Sequence, residues 1–243
     1  MKKHFAWTMT AVIALSFSAL PGYGQTSKDV LNKMIEAQGG RKYLETIKDS
    51  TMSGTMELTQ MGMSGTLTMY LKEHNKMRMD MEFAGMVITQ AYDGQKGWVT
   101  NPQTGATEEM PEVQAKAIAR QALGNGALLN PEKLGITYTL KPKASLENKE
   151  YIVLEQTMAD GHKSIMYVDP ATYLTYKVET TGVNQAGAEA KVESYQSDYR
   201  KVGPALVAHS IRIVQDGAEF AKMVITKITY NAALDDSLFA IGK

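Results

Sequence analysis

The chain contains no cysteine. Neither a disulfide nor a thiolate metal site can brace it, so in an oxidising compartment the fold must rest on its core and its hydrogen bonds. The same absence removes an N-terminal cysteine as a point of lipid attachment. Charge is balanced, with 26 Lys and Arg against 26 Asp and Glu in 243 residues. There is no basic surplus to grip phosphates, and nucleic acid is not an expected partner. Catalytic signatures are also missing. Gly62-Met63-Ser64-Gly65 lacks the spacing of a nucleophile elbow. His74, His162 and His209 are scattered, without a pair at metal-binding spacing. His209 shares strand parity with Val207, Ile211 and Ile213, which suits a hydrogen-bonded core histidine. Asp93, Asp160, Asp169 and Asp216 sit at turn positions, where the side chain stabilises the local backbone. No acid, base and nucleophile set emerges, so the expectation is a non-enzymatic protein without cofactor.

Only one long apolar run exists, at the N-terminus. Lys2, Lys3 and His4 precede an apolar stretch from Phe5 to Leu20, and Pro21-Gly22-Tyr23-Gly24 supplies small residues for cleavage before Gln25. Residues 1–24 therefore read as a secretory signal peptide. The rival reading, a membrane anchor, needs about 20 apolar residues, and this run is shorter and interrupted by Thr8, Thr10, Ser16 and Ser18. Residues 25–243 contain no further run of spanning length, and their size suits a single β-rich domain. The expected location is the periplasm or another secreted compartment.

What is present is period-two patterning. Between His162 and Tyr230 apolar and polar residues alternate in runs punctuated by Asp169-Pro170, a Gly-bearing turn and Asp216-Gly217. That is the signature of antiparallel strands joined by tight connections. The same pattern runs from Thr51: Met52, Met56 and Leu58 share a face, then Leu67, Met69 and Leu71, then Met77, Met79 and Met81. A strand over Met86–Tyr92 and one holding Trp98 follow, with two more near Ile136–Lys141 and Tyr151–Thr157. The pattern predicts between about eleven and thirteen strands. Two helical pieces interrupt it. Thr26 and Asp29 form a helix start before Val30, Leu31, Met34 and Ile35, and Gly39-Gly40 stops that helix. Pro111 opens a second helix to about Leu123, with Val113, Ala117, Ile118 and Ala122 on one side. Asp235-Asp236-Ser237 turns the tail, and Leu238 and Phe239 are expected to dock in the core.

Nine of the 16 methionines fall between Met52 and Met86. Three readings stay open. Methionine fills irregular core gaps, and it also makes a plastic wall for a flexible apolar ligand. Its thioether also accepts Cu(I), but same-face neighbours on a strand lie roughly 6–7 Å apart, too far for three to close on one ion.

Several short segments, in order, resemble a known group: Ala37-Gln38-Gly39-Gly40 with Leu44 and Ile47; Ala91-Tyr92-Asp93-Gly94 with Gly97-Trp98 and Asn101-Pro102; Tyr167–Leu174; Ser197-Asp198-Tyr199-Arg200; and Leu234–Phe239. Together they resemble the bacterial outer-membrane lipoprotein-sorting proteins, the LolA/LolB-like group. The resemblance implies a mainly β fold, an unclosed antiparallel β-barrel of about eleven strands with covering helices.

The functional expectation is a secreted carrier or binding protein for a lipid, a lipoprotein acyl chain or another apolar ligand. The alternatives are an envelope structural or regulatory module that binds a protein partner and, less favoured, a Cu(I)-binding Met-rich protein. Face parity nominates Met52, Met56, Met69, Met77, Met79, Met81, Trp98, Val113 and Ile118 as the lining of a ligand cavity.

Overall fold

The structure, a computed structural model, describes residues 24–184 and 188–241. The expected signal segment falls outside these residues except for Gly24, and part of the Gly-bearing turn of the last four strands does too. The described residues form thirteen strands, of which the first six are β1 (Asp49–Leu58), β2 (Met63–Lys72), β3 (Lys76–Phe83), β4 (Met86–Tyr92), β5 (Gly97–Thr100) and β6 (Thr107–Glu109). Seven more follow: β7 (Thr137–Leu146), β8 (Lys149–Thr157), β9 (Lys163–Val168), β10 (Thr175–Val183), β11 (Glu189–Val202), β12 (Ala205–Gln215) and β13 (Ala218–Tyr230). The helices are α1 (Ser27–Ala37), α2 (Arg41–Leu44), α3 (Glu112–Ala122) and α4 (Gly126–Leu129).

All thirteen strands form one sheet in the order β6-β5-β4-β3-β2-β1-β13-β12-β11-β10-β9-β8-β7. Each neighbouring pair is antiparallel. The first and last strands pair at the centre, and β6 and β7, consecutive in sequence, are the two edges. Closure would require those edges to meet. Residues 110–136 between them instead fold largely as helix, so the sheet is not closed into a barrel. The strand count exceeds the about eleven implied by the resemblance and lies at the top of the range read from the pattern.

Register makes one face continuous. Leu140, Leu154, Met166, Val178, Ser194, Ile213, Ala221, Leu58 and Met63 are successive direct partners from β7 to β2. Directly opposed residues project to the same side, so this row defines an inner face that is almost wholly apolar. The adjacent row, Lys141, Val153, Tyr167, Lys177, Tyr195, Arg212, Lys222 and Glu57, belongs to the outer face and is largely polar. There the buried Lys177 ammonium lies 2.7 Å from Glu179 and 2.5 Å from Glu193. Burial alone would lower its pKa; the two carboxylates override that and hold it above the ordinary lysine value.

Both long helices rest on the inner face. Helix α1 begins with a reciprocal capping box between Thr26 and Asp29, a device that stabilises a helix start by roughly 1 kcal/mol. Its Val30, Leu31 and Met34 pack on Ile152, Leu154 and Val168. Gly39 ends it at φ 124°, and a Cβ there would meet the Pro204 carbonyl oxygen at 2.9 Å. That position requires glycine for both reasons.

Strand β7 continues beyond Lys141 through Pro142 to Leu146, because Pro142 sits at an irregularity of an edge strand, where no ladder donor is needed. Strand β10 starts at Thr175, after the turn that follows β9. Tyr173 has a left-handed backbone (φ 57°) and closes the preceding turn by donating its N–H to the Asp169 carbonyl.

Candidate ligand cavity

Helix α3 covers the β1–β6 wing. Ile118 and Ala122 pack with Met77 and Met110, flanked by Met69, Leu71, Tyr92, Val99 and Ala115. The helix approaches so closely that a Cβ on Gly97 would lie 3.2 Å from the Ala115 α-carbon and 3.0 Å from the Met110 sulfur. Helix α1 covers the other wing. Between the two helical covers the inner face is left open, and a cavity of about 1010 Å³ occupies the space.

The cavity is built from sheet, helix and loop. Met52, Met69, Leu71, Ile211 and Ile225 supply the sheet wall, Leu44 and Ile47 follow α1, and Ala122, Leu123 and Leu129 come from the α3–α4 segment. The wall is possible because Met52 pairs with Met69 on one side and Ile228 on the other, and Met69 pairs with Met79. Three methionines thus stand abreast on β1, β2 and β3. Thioether chains have three rotatable bonds and adapt to irregular contours.

Polar groups gather where the cavity meets loops. Lys48 pairs with Glu73 at 3.0 Å. The buried Asp49 carboxylate accepts from the backbone N–H groups of Ala232 (2.7 Å) and Leu234 (3.3 Å). Lys72 pairs with Asp236 at 2.7 Å. The Tyr199 hydroxyl donates to the Thr175 carbonyl at 2.7 Å and lies 2.9 Å from Gln196 Oε1. Burial pushes the Tyr230 phenol up to about 12, so it is protonated at neutral pH.

Two contacts tie the helical cover down. Arg41 on α2 donates to the Leu129 carbonyl at the end of α4, at 2.8 Å. Arg120 on α3 reaches Asp160 in the β8–β9 turn at 2.7 Å. Asp160 Oδ1 also accepts the His162 backbone N–H at 3.1 Å, which fixes the turn.

The residues nominated from the sequence are distributed as follows. Met52 and Met69 border the cavity. Met56, Met79 and Met81 share the inner-face cluster beside it. Met77 lies beneath α3, where it packs against Ile118 on the helix's sheet-facing side. Val113 does not face inward; it is 57% exposed, because α3 contacts the sheet through Ala115, Ile118 and Ala122. Trp98 is on the other face. Gly97 occupies the inner position under α3, so the next residue points outward, opposite Ala91 and in one row with Arg78. His209 is buried, with Nδ1 2.9 Å from the Val207 carbonyl.

The sequence reading did not nominate Leu71, Ile211, Ile225 or Tyr230. Leu71 was reachable from the parity of Met69. The other three enter only through the pairing of β1 with β13 and of β13 with β12, a contact between the two ends of the chain. Among the described residues no group of three or more His, Asp or Glu side chains is placed to hold a metal ion.

No family model matches the sequence, and no curated protein matches it. Solved structures do. A LolA superfamily protein from Nitrosomonas europaea superposes with a TM-score of 0.59 at 16% identity, over 89% of this chain and 98% of that one. A DUF1329 family protein from Desulfovibrio piger gives 0.58 at 16% identity, over 88% and 96%. A putative outer membrane lipoprotein-sorting protein domain from Vibrio parahaemolyticus gives 0.57 at 14% identity, over 87% and 95%. The fold is therefore LolA-like across most of the chain. At these identities the likeness concerns the fold.

Proposed function

We propose that the protein is a secreted, non-enzymatic carrier or binding protein that shields a lipid, a lipoprotein acyl chain or another apolar ligand from water. The observation that carries this reading is the cavity of about 1010 Å³ walled by Met52, Met69, Leu71, Ile211 and Ile225. It lies at the upper end of the size range of ligand pockets, about 300–1,000 Å³. Burying one methylene contributes about 0.8 kcal/mol, so fifteen contribute about 12 kcal/mol gross, before ordering costs are subtracted. No described helix is long and apolar enough to cross a membrane, and the N-terminal pattern supports export to the periplasm. The likeness to a lipoprotein-sorting domain supports the same class of cargo.

The rival reading, a module that captures a protein partner along a sheet edge, has less support. The β7 edge carries Pro142 between Lys141 and Lys143, residue types that resist strand addition.

Native mass spectrometry of the protein exported by its own signal, followed by organic extraction, tests the proposal. A co-purifying lipid or acylated peptide is expected, and it should disappear in Met69→Asp while the far-UV circular dichroism spectrum is retained. A ligand-free protein that also fails to take up added lipids would overturn it.

A further inference from the structure

The helical cover is fastened unevenly. Helix α4 is held from two elements: Arg41 donates to the Leu129 carbonyl at 2.8 Å, and the Tyr138 hydroxyl of β7 donates to the Ala127 carbonyl at 3.2 Å. Helix α3 packs on the β1–β6 wing, yet its Arg120 reaches Asp160 in the β8–β9 turn, on the opposite wing. Between α3 and α4 lies Gly124-Asn125-Gly126, where Gly124 takes a left-handed backbone at φ 47°. Short linkers of small residues absorb hinge rotation. Helix α3 is thus a leaf hinged on a tethered α4 and fastened at Arg120 and Asp160.

His162 stands at that fastening. Its backbone N–H donates to Asp160 Oδ1 at 3.1 Å, while Arg120 holds Oδ2 at 2.7 Å. Its Nε2 lies 2.7 Å from the Thr180 hydroxyl on β10. Thr180 is two residues from Val178 of the inner row, so the half-buried imidazole sits on the inner side. The Thr180 hydroxyl donates to the Lys163 carbonyl at 3.3 Å and accepts from Ser164 at 3.1 Å. Nε2 is therefore the N–H donor, and Nδ1 is the nitrogen that takes a proton. The charges facing the ring are Arg120 from α3 and Asp160 from its own turn. Lys116, one turn back on α3, is paired with Glu112 at 2.6 Å and also feels Asp160. Burial and the Arg120 guanidinium hold the imidazole below the ordinary histidine value of 6.5, against the pull of Asp160. Lifting α3 takes Arg120 away and leaves Asp160 two residues from the ring. The lifted state then binds a proton more tightly than the docked one. The preference for docking is complete above the lifted-state pKa and declines as pH falls from there towards the docked-state pKa. We propose that His162 makes the fastening of α3 a proton-sensitive latch, shut at neutral pH and loosened in mild acid. The latch goes beyond the carrier reading and rests on it only for its consequence, release of ligand.

Hydrogen exchange of the full secreted protein tests the latch without a ligand. Protection of the α3 amides is taken relative to α1, so that the intrinsic pH dependence of exchange cancels. Between about pH 7.5 and about pH 5, the range in which histidine changes charge, the ratio should fall by up to about fivefold, the whole worth of such an ion pair. His162→Gln keeps a donor towards Thr180 and cannot titrate, so its ratio should stay constant. An NMR titration gives a second readout: His162 should titrate below the ordinary histidine value, and Arg120→Ala should raise it. A constant ratio in the native protein, a fall that survives His162→Gln, or an imidazole that Arg120→Ala leaves unmoved overturns the latch and leaves the carrier reading standing. Far-UV circular dichroism is recorded at each pH, and should His162→Gln fail to fold, the Arg120→Ala titration decides. The off-rate of a bound fluorescent fatty acid is then followed over the same interval and should rise with the loosening. Loosening at a constant off-rate would support the latch and overturn its role in release, whereas a protein that takes up no fatty acid counts against the carrier reading alone.

Discussion

The indole nitrogen of Trp98 donates a 2.8 Å hydrogen bond to the carbonyl oxygen of Phe239. The two residues are 141 positions apart and both are buried. Around them Arg78 donates to the Leu238 carbonyl at 3.1 Å, and its guanidinium lies 5.9 Å from the Trp98 ring. Asp236 binds Lys72 and Lys76 at 2.7 and 2.8 Å. The tail therefore straps the outer face of the same wing that α3 covers on the inside.

Phe239→Ala should destabilise the protein by about 3–5 kcal/mol, the usual cost of emptying a buried aromatic site. Trp98 is the sole tryptophan beyond Trp7 of the N-terminal segment, so its emission reports on the strap directly. A red shift in the variant at neutral pH, with a lowered denaturation midpoint, is expected. An unshifted spectrum would show that the strap does not shield the indole.

Acid should loosen the strap in a defined window. Hydrogen bonds from Lys72 and Lys76 depress the Asp236 carboxyl from its ordinary 3.8 to about 2. A depressed pKa means that the contribution is complete above the unfolded value and is lost as pH falls through the folded one. The Trp98 emission of the native protein should therefore shift between about pH 3.8 and about 2. Asp236→Asn, which cannot titrate, should lack that step; an identical acid profile in both proteins would assign it elsewhere.

Gly97→Ala should lift α3. The added methyl would press on Ala115 and Met110, and overpacking of this kind costs about 1–3 kcal/mol. Hydrogen exchange of the α3 amides should accelerate more than that of the α1 amides. Uniform protection would mean that the helix has room to spare.

Asp160→Ala should speed ligand exchange. It removes the tie between α3 and the β8–β9 turn, a half-exposed pair worth at most about 1 kcal/mol, so the off-rate of a bound fluorescent lipid should rise by up to about fivefold. A cysteine pair that locks α3 to the turn should have the opposite effect. Normal exchange in the locked protein would remove α3 as the gate.

The β meanders were legible because alternation and Asp-Gly turns are local signals. Met86–Tyr92 was bounded to the residue, and Thr26, Asp29 and Gly39 marked the ends of α1 correctly. Face assignment was legible only within a strand. Met77, Met79 and Met81 do share a face, but parity alone could not tell that Trp98 falls on the opposite one, because the offset across the β4–β5 turn depends on where Gly97 meets α3. The cavity was half visible. Its methionine side is written in β1–β3, whereas Ile211, Ile225 and Tyr230 join it through long-range pairing that no local pattern encodes. Strand β6 escaped notice because three exposed polar residues carry no alternation.

The two edge strands are not paired with each other, and what spans them is a largely helical segment. Spreading or narrowing the gap between β6 and β7 therefore breaks no ladder hydrogen bond. No closed ring of strands fixes the girth of the interior, unlike a closed cylinder, whose circumference is set by its strands. On the carrier reading, a protein built this way would accept chains of graded length and branching with one set of residues.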